Sequence, residues 1–269
     1  MISIWKGLLS PDGTCEIDVC PFLQNLTCDA ISRTAFGNSH EEGTKIFELL
    51  KKQGNLVMTA RHTNNPLWRY PEWQARARQE VLQVFGNQNP NIEGLSQLKI
   101  VTMILYEVLR LYPPVLYFNR AIQKDLKVGN LLLPAGTKVS LPIILIHQDN
   151  DIWGDDAKEF KPERFAEGIA KATKGQVCYF PFGWGPRICI GQNFAILEAK
   201  IAISLLLQNF SFELSPNYAH RPHLSGFGRV SVARCVAGVK RCVLIERSKD
   251  DFAMNFEPFG GYMWNFLTP

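Results

Sequence analysis

The sequence predicts a mainly α-helical fold with a small β-sheet. Three observations predict it: helical apolar spacing in two segments before residue 113, a shorter period between 120 and 146, and one long apolar segment from 193 to 208. At 269 residues and 46% hydrophobic, the chain is long enough to bury a sizeable core, as one large domain or two small ones.

From Glu16 to Lys52 the apolar residues Ile17, Phe22, Leu23, Leu26, Ile31, Phe36, Ile46 and Leu49 recur at mostly helical intervals, so this segment reads as short helices. Between Leu56 and Pro71 the pattern fails in Arg61-His62-Thr63-Asn64-Asn65-Pro66, which reads as a junction. Pro71-Glu72 then opens a helix through Trp73, Ala77, Val81 and Val84 that stops at Gly86. A second helix is expected over Ile92 to Tyr112, with a stripe of Leu95, Leu98, Val101, Ile104, Leu105 and Val108 that Pro113-Pro114 ends. Short apolar runs separated by Gly129-Asn130 and Pro134-Ala135-Gly136 read as hairpins of the small sheet. From Asn193 to Gln208 the helix is apolar on more than one face, which predicts a central position. Beyond Arg221 the sequence becomes irregular and ends in the aromatic-rich stretch from Phe256 to Phe266.

Lys plus Arg is 29 against 25 for Asp plus Glu, a net charge of only +4 with no block of like charge, which argues against a nucleic-acid partner. Seven cysteines, at 15, 20, 28, 178, 189, 235 and 242, lack the paired two-residue gaps of structural zinc sites. Free thiols in a reducing compartment fit best. No run approaches the ~18 apolar residues of a membrane span, so the chain as written is expected to be soluble or peripheral.

The strongest chemical signal is Phe182-Gly183-Trp184-Gly185-Pro186-Arg187-Ile188-Cys189-Ile190-Gly191. Glycines at 183, 185 and 191 permit positive φ and close approach of the backbone to a flat ligand. Backbone N–H groups and the following helix N-terminus stabilise negative charge on sulfur, while Arg187 can pair with an acidic group. An isolated cysteine would be read as an ordinary buried thiol; the glycine-rich loop reverses that. Glu107-Val108-Leu109-Arg110 places a carboxylate and a guanidinium one turn apart, which alone reads as a surface ion pair. Arg164, within Phe160-Lys161-Pro162-Glu163-Arg164-Phe165, can fold back on that pair to make a buried ionic network.

Phe182, Gly185, Arg187, Cys189 and Gly191 match the haem-binding signature of the cytochrome P-450 family, and the chain resembles its plant seventy-two clan, which contains secologanin synthase and related terpenoid hydroxylases. The resemblance implies a cytochrome P-450 fold, present as an incomplete C-terminal haem-binding half. It implies haem b with Cys189 as the axial thiolate, Arg187 and Arg120 holding propionates, and Phe182 tuning the sulfur. Glu107, Arg110 and Arg164 resemble the structural Glu-Arg-Arg triad, and His147 and Asp149 a structural turn. The implied activity is a monooxygenase acting on a hydrophobic small molecule, with electrons from an NADPH-cytochrome reductase at the endoplasmic reticulum membrane; without an anchor, this chain is expected to be cytoplasmic or peripheral. Segments 1–70, 71–220 and 221–269 read respectively as a remnant of mid-chain helices with a junction, the haem-binding core, and a divergent tail.

The sequence also departs from the pattern. The family's membrane anchor and early helices have no counterpart before Met1. The acid-threonine pair of its long distal helix has none either: Thr59, His62 and Thr63 lack the expected Ala-Gly and acidic neighbours, so residues 54–70 read as an internal deletion. A truncated product that binds haem weakly, or not at all, is therefore the alternative to an active enzyme.

Overall fold

The computed structural model describes residues 1–36, 69–214 and 241–246. In chain order these form α1 (Ile2–Gly7), β1 (Thr14–Asp18), α2 (Cys20–Phe36), α3 (Pro71–Phe85), α4 (Ile92–Gln97), α5 (Lys99–Leu111), β2 (Tyr117–Ala121), β3 (Leu126–Val128), β4 (Leu131–Leu133), β5 (Lys138–Pro142), α6 (Ile143–His147), α7 (Asn150–Trp153), α8 (Ile169–Ala172), α9 (Gln192–Asn209), β6 (Phe210–Leu214) and β7 (Arg241–Glu246). Short 3-10 turns occupy Pro162–Phe165 and Gly185–Arg187.

Helix α3 has the extent its signals predict, with proline in its first turn and Gly86 at positive φ after its last. It turns Trp73, Ala77, Val81 and Phe85 into the main core, where they meet Leu95, Leu98, Val101 and Ile104. Burial of side chains of this size contributes about 1.5–3 kcal/mol each, so the facing stripes of α3 and α5 hold this half of the molecule.

The expected single helix over Ile92 to Tyr112 is two. It breaks at Leu98, whose ψ of 90° is extended. The apolar stripe runs through the break because Leu95 and Leu98 are both buried. What starts α5 is remote in sequence: the Glu80 carboxylate of α3 accepts the backbone N–H groups of Lys99, Ile100 and Val101 at 2.7, 2.7 and 3.0 Å. The first turn of a helix leaves such donors without intrahelical partners, and α5 has no capping side chain of its own.

Glu16 and Ile17, expected in helices, lie in β1. That strand pairs antiparallel with β7, Thr14 opposite Ile245, and β7 pairs with β6, Phe210 opposite Glu246. Part of the tail read as irregular thus supplies the middle strand of a three-stranded sheet. Gln74 fastens this sheet to α3, its side-chain amide donating to the Phe212 carbonyl and accepting the Phe212 N–H, both at 2.9 Å. The small sheet of the middle region is two separate ribbons, β2 with β5 and β3 with β4. The expected junction at residues 54–70 and the helices expected over 37–52 lie almost wholly outside the described residues.

Helix α9 runs as expected, but Ser204, Leu206, Leu207 and Gln208 are its buried residues, and its first half is only partly covered. Among the described residues no helix is long and apolar enough to cross a membrane.

Candidate functional site

The loop that carries Cys189 enters through a second core, where Tyr179 packs among the rings of Trp153, Phe165 and Tyr106 and its hydroxyl donates to the Tyr106 carbonyl at 3.0 Å. A turn follows in which Gly183 N–H donates to Phe180 O at 3.0 Å. Gly183 has φ of 84°, and a Cβ there would lie 3.4 Å from the Phe118 ring, so conformation and space both favour glycine. After Gly185, at φ 75°, the Cys189 N–H donates to Phe182 O at 2.9 Å and closes the loop. Gly191 needs no left-handed backbone: it caps α9 at φ −86°, and a Cβ there would rest 3.8 Å from Cys189 Sγ, an ordinary contact. The expectation of positive φ thus holds at 183 and 185 but not at 191.

Cys189 is exposed, two residues before the N-cap Gly191 of α9, whose N-terminal dipole favours negative charge. Apolar side chains around it are exposed as well: Ile190 fully, Trp184 at 63% and Ile188 at 47%. Arg187 is exposed and forms no ion pair among the described residues. Arg120 is exposed on β2, with its guanidinium 5.3 Å from the Phe118 ring that covers Gly183. Strand β2 therefore brings a second cation to the side of the loop. Phe182, Trp184 and Ile188 also line a cleft of about 380 Å³ against Leu95, Tyr106 and Leu197.

Beneath the loop lies the ionic cluster. Glu107 and Arg110 are both fully buried. Arg110 Nε and Nη2 donate to the two Glu107 oxygens at 2.7 and 2.8 Å. Its remaining donors reach the carbonyls of His147 at 2.7 Å, Glu159 at 3.1 Å, and Ala157. Glu107 Oε1 also accepts the Lys161 N–H at 2.9 Å and stands 3.5 Å from Arg164 Nε. Arg164 donates to the carbonyls of Trp153, at 2.9 Å, and Asp156, and pairs with the Asp156 carboxylate. Hydrogen bonds from Lys161 and Arg164 lower the Asp156 carboxyl to about 2. Helix spacing is the same for a surface pair and a buried one; here Glu107 and Arg110 are buried with Arg164 beside them, the network expected if Arg164 folds back.

Sequence reasoning passed over Glu80, which caps the start of α5, and named His147, at the end of α6, only as part of a structural turn. A glutamate late in one helix and a histidine ending a short apolar run carry no local signal of these contacts.

The family model described as cytochrome P-450 matches residues 59–234. Among curated relatives, the 11-oxo-beta-amyrin 30-oxidase of Medicago truncatula is 58% identical over 320 positions, covering 82% of this chain and 61% of that protein. Cytochrome P-450 CYP72A613 of Trigonella foenum-graecum is 59% identical with the same coverage. The chain thus spans about three fifths of the length of the relatives it matches. Because 82% of 269 residues is about 220, roughly a hundred of those 320 positions face a gap in this chain. Among solved structures, the haem domain of a triply substituted cytochrome P-450 matches with a TM-score of 0.60 and 26% identity, over 72% of this chain and 42% of that one. A family match over most of the chain, a shared fold and close plant relatives together place this protein in the cytochrome P-450 family, within the plant seventy-two clan.

Proposed function

We propose that this chain carries the proximal half of a haem-thiolate site, with Cys189 as the axial ligand, in a protein of monooxygenase type acting on hydrophobic small molecules such as terpenoids. The observation that carries the reading is the exposed sulfur of Cys189, held in a closed glycine turn inside a rim of exposed apolar side chains. That donor set fits haem, which needs one soft anionic ligand, an apolar face to cover and cations for its acidic arms. Ile190, Trp184 and Ile188 would cover the ring, and Arg187 and Arg120 would hold propionates. Phe182, whose carbonyl takes the Cys189 N–H, would fix the loop around the sulfur, and Gly185 and Gly191 keep its two ends compact. Glu107, Arg110 and Arg164 would act structurally, tying the floor of the loop to α5.

When bound, a thiolate-ligated haem supplies dioxygen activation, one oxygen atom entering the substrate, with electrons from an NADPH-dependent reductase. The chain's own part is to present the sulfur beside the α9 N-terminus, orient the ring through two arginines, and keep the ionic cluster in place. The reductase partner and attachment to the endoplasmic reticulum are proposed from family membership. Residues 71–220 are assigned to the haem-binding core. Segments 1–70 and 221–269 contribute β1 and β7, which extend the sheet that begins at β6.

A second reading has its own support: a non-catalytic fragment that binds haem weakly or not at all. The gap of about a hundred positions against the relatives, and a sequence with no acid-threonine pair for distal proton delivery, favour it. The deciding experiment is to load the chain with haem and add reductase, NADPH and an oleanane-type triterpenoid. Oxygenated product in step with NADPH consumption supports the monooxygenase. Haem uptake without product, or no haem uptake at all, supports the fragment.

A further inference from the structure

His147 is wholly buried, and the roles assigned above leave it unused. It ends α6, and its carbonyl accepts from Arg110 Nη1 at 2.7 Å. The ring faces the cysteine loop: Nε2 accepts the backbone N–H of Phe180 at 3.1 Å. It also stacks on Tyr179 at 5.5 Å and 21°, and meets Phe180 edge-on at 5.5 Å. An imidazole that accepts at Nε2 and is neutral carries its proton on Nδ1. Among the described residues Nδ1 makes no hydrogen bond within normal distance and angle, and the backbone of Leu109 and Arg110 at the end of α5 lies within its electrostatic reach. Burial, with the Arg110 charge as a further cause, lowers the imidazole to about 4, which keeps this acceptor available at neutral pH.

From this ring to the sulfur the backbone is linked by three successive hydrogen bonds: Phe180 N–H to His147, Gly183 N–H to Phe180 O, and Cys189 N–H to Phe182 O. We propose that His147 is a positioning residue for the thiolate, setting where the loop presents Cys189 by holding the Phe180 amide against the end of α5. An apolar ring of the same shape would leave that amide without its acceptor, and the loop would have to move to satisfy it. The proposal rests on the reading of Cys189 as the haem ligand.

The test compares His147→Gln, whose amide oxygen reaches the place of Nε2, with His147→Asn, whose oxygen reaches only the place of Nδ1, and with the apolar His147→Phe. Hydrogen exchange is followed in the full chain without haem, and the reduced carbon monoxide difference spectrum is recorded after haem loading. The expected result is exchange roughly tenfold or more faster at the amides of Phe180, Gly183 and Cys189 in His147→Asn and His147→Phe. The amides of Ala77 and Val81 in α3 keep their rates. The thiolate-type fraction of the spectrum falls in the same two variants, and His147→Gln restores both readouts. If His147→Phe fails to fold, the Gln and Asn pair decides alone. The proposal is overturned if Asn behaves as Gln does, if α3 accelerates in step with the loop, or if the loop loosens with no change in the spectrum. Failure of the wild-type chain to take up haem supports the non-catalytic fragment instead, and exchange alone then decides whether His147 holds the loop.

Discussion

Replacing Arg110 with Met keeps most of the side-chain volume and removes every donor from the centre of the buried cluster. Five contacts are lost: two to Glu107, at 2.7 and 2.8 Å, and one each to the carbonyls of His147, Ala157 and Glu159. Glu107 is then a fully buried carboxylate whose remaining partners among the described residues are the Lys161 N–H at 2.9 Å and the Arg164 guanidinium at 3.5 Å. Removing one partner of such a pair costs about 3–5 kcal/mol, because the other charge stays buried and uncompensated. A domain of this kind has about 5–15 kcal/mol of stability in total, so the variant retains a marginal fold. Urea unfolding followed by tryptophan fluorescence measures the loss as a shift in midpoint at constant slope. The double variant with Glu107→Leu removes both charges, so its cost falls below the sum of the two single costs by about 2 kcal/mol or more. A cost under about 1 kcal/mol for Arg110→Met, or strict additivity of the pair, would refute the view that the cluster is a desolvated unit.

Three other outcomes follow. Glu80→Ala removes the shared acceptor of the first three N–H groups of α5 and costs about 1–2 kcal/mol in the same unfolding assay; a change within about 0.5 kcal/mol contradicts that cap. For His147 the folded value of about 4 lies below the ordinary 6.5. The unfolded chain therefore binds the proton first, and stability present above pH 6.5 is lost as the pH falls toward 4, by about 3 kcal/mol in full. The Asp156 carboxylate adds a separate loss below its ordinary range, as the pH falls toward about 2. His147→Gln lacks the first of these slopes, and an unchanged pH profile in that variant assigns it elsewhere. Arg120→Ala and Arg187→Ala each weaken haem binding roughly tenfold in a Soret titration; an unchanged affinity removes that arginine from the propionate role.

What was legible in the sequence had local causes. Helix α3 announces itself through Pro71-Glu72 and Gly86, and the Cys189 loop through glycines whose positive φ is a property of the backbone alone. Phe182, Arg187 and Cys189 could be read together from the sequence because they share one short loop. What stayed hidden depends on remote partners. The break at Leu98 is made by a carboxylate from the preceding helix, and no periodicity within α4 and α5 reports it. The strand at Thr14–Asp18 is defined by pairing with Arg241–Glu246 from the far end of the chain. The same limit applies to Glu107 and Arg110, whose spacing was legible but whose partners His147, Ala157, Glu159, Lys161 and Arg164 are remote in sequence.

The central claim is that one sulfur, presented by a tight turn at the head of α9, is the donor to a haem iron. The most direct measurement is the reduced carbon monoxide difference spectrum of the haem-loaded chain beside that of Cys189→Ser. A thiolate-type Soret band in the parent that vanishes in Cys189→Ser, while both circular dichroism spectra stay alike, is the predicted result. The same band persisting in Cys189→Ser would place the ligand on another residue and contradict the assignment.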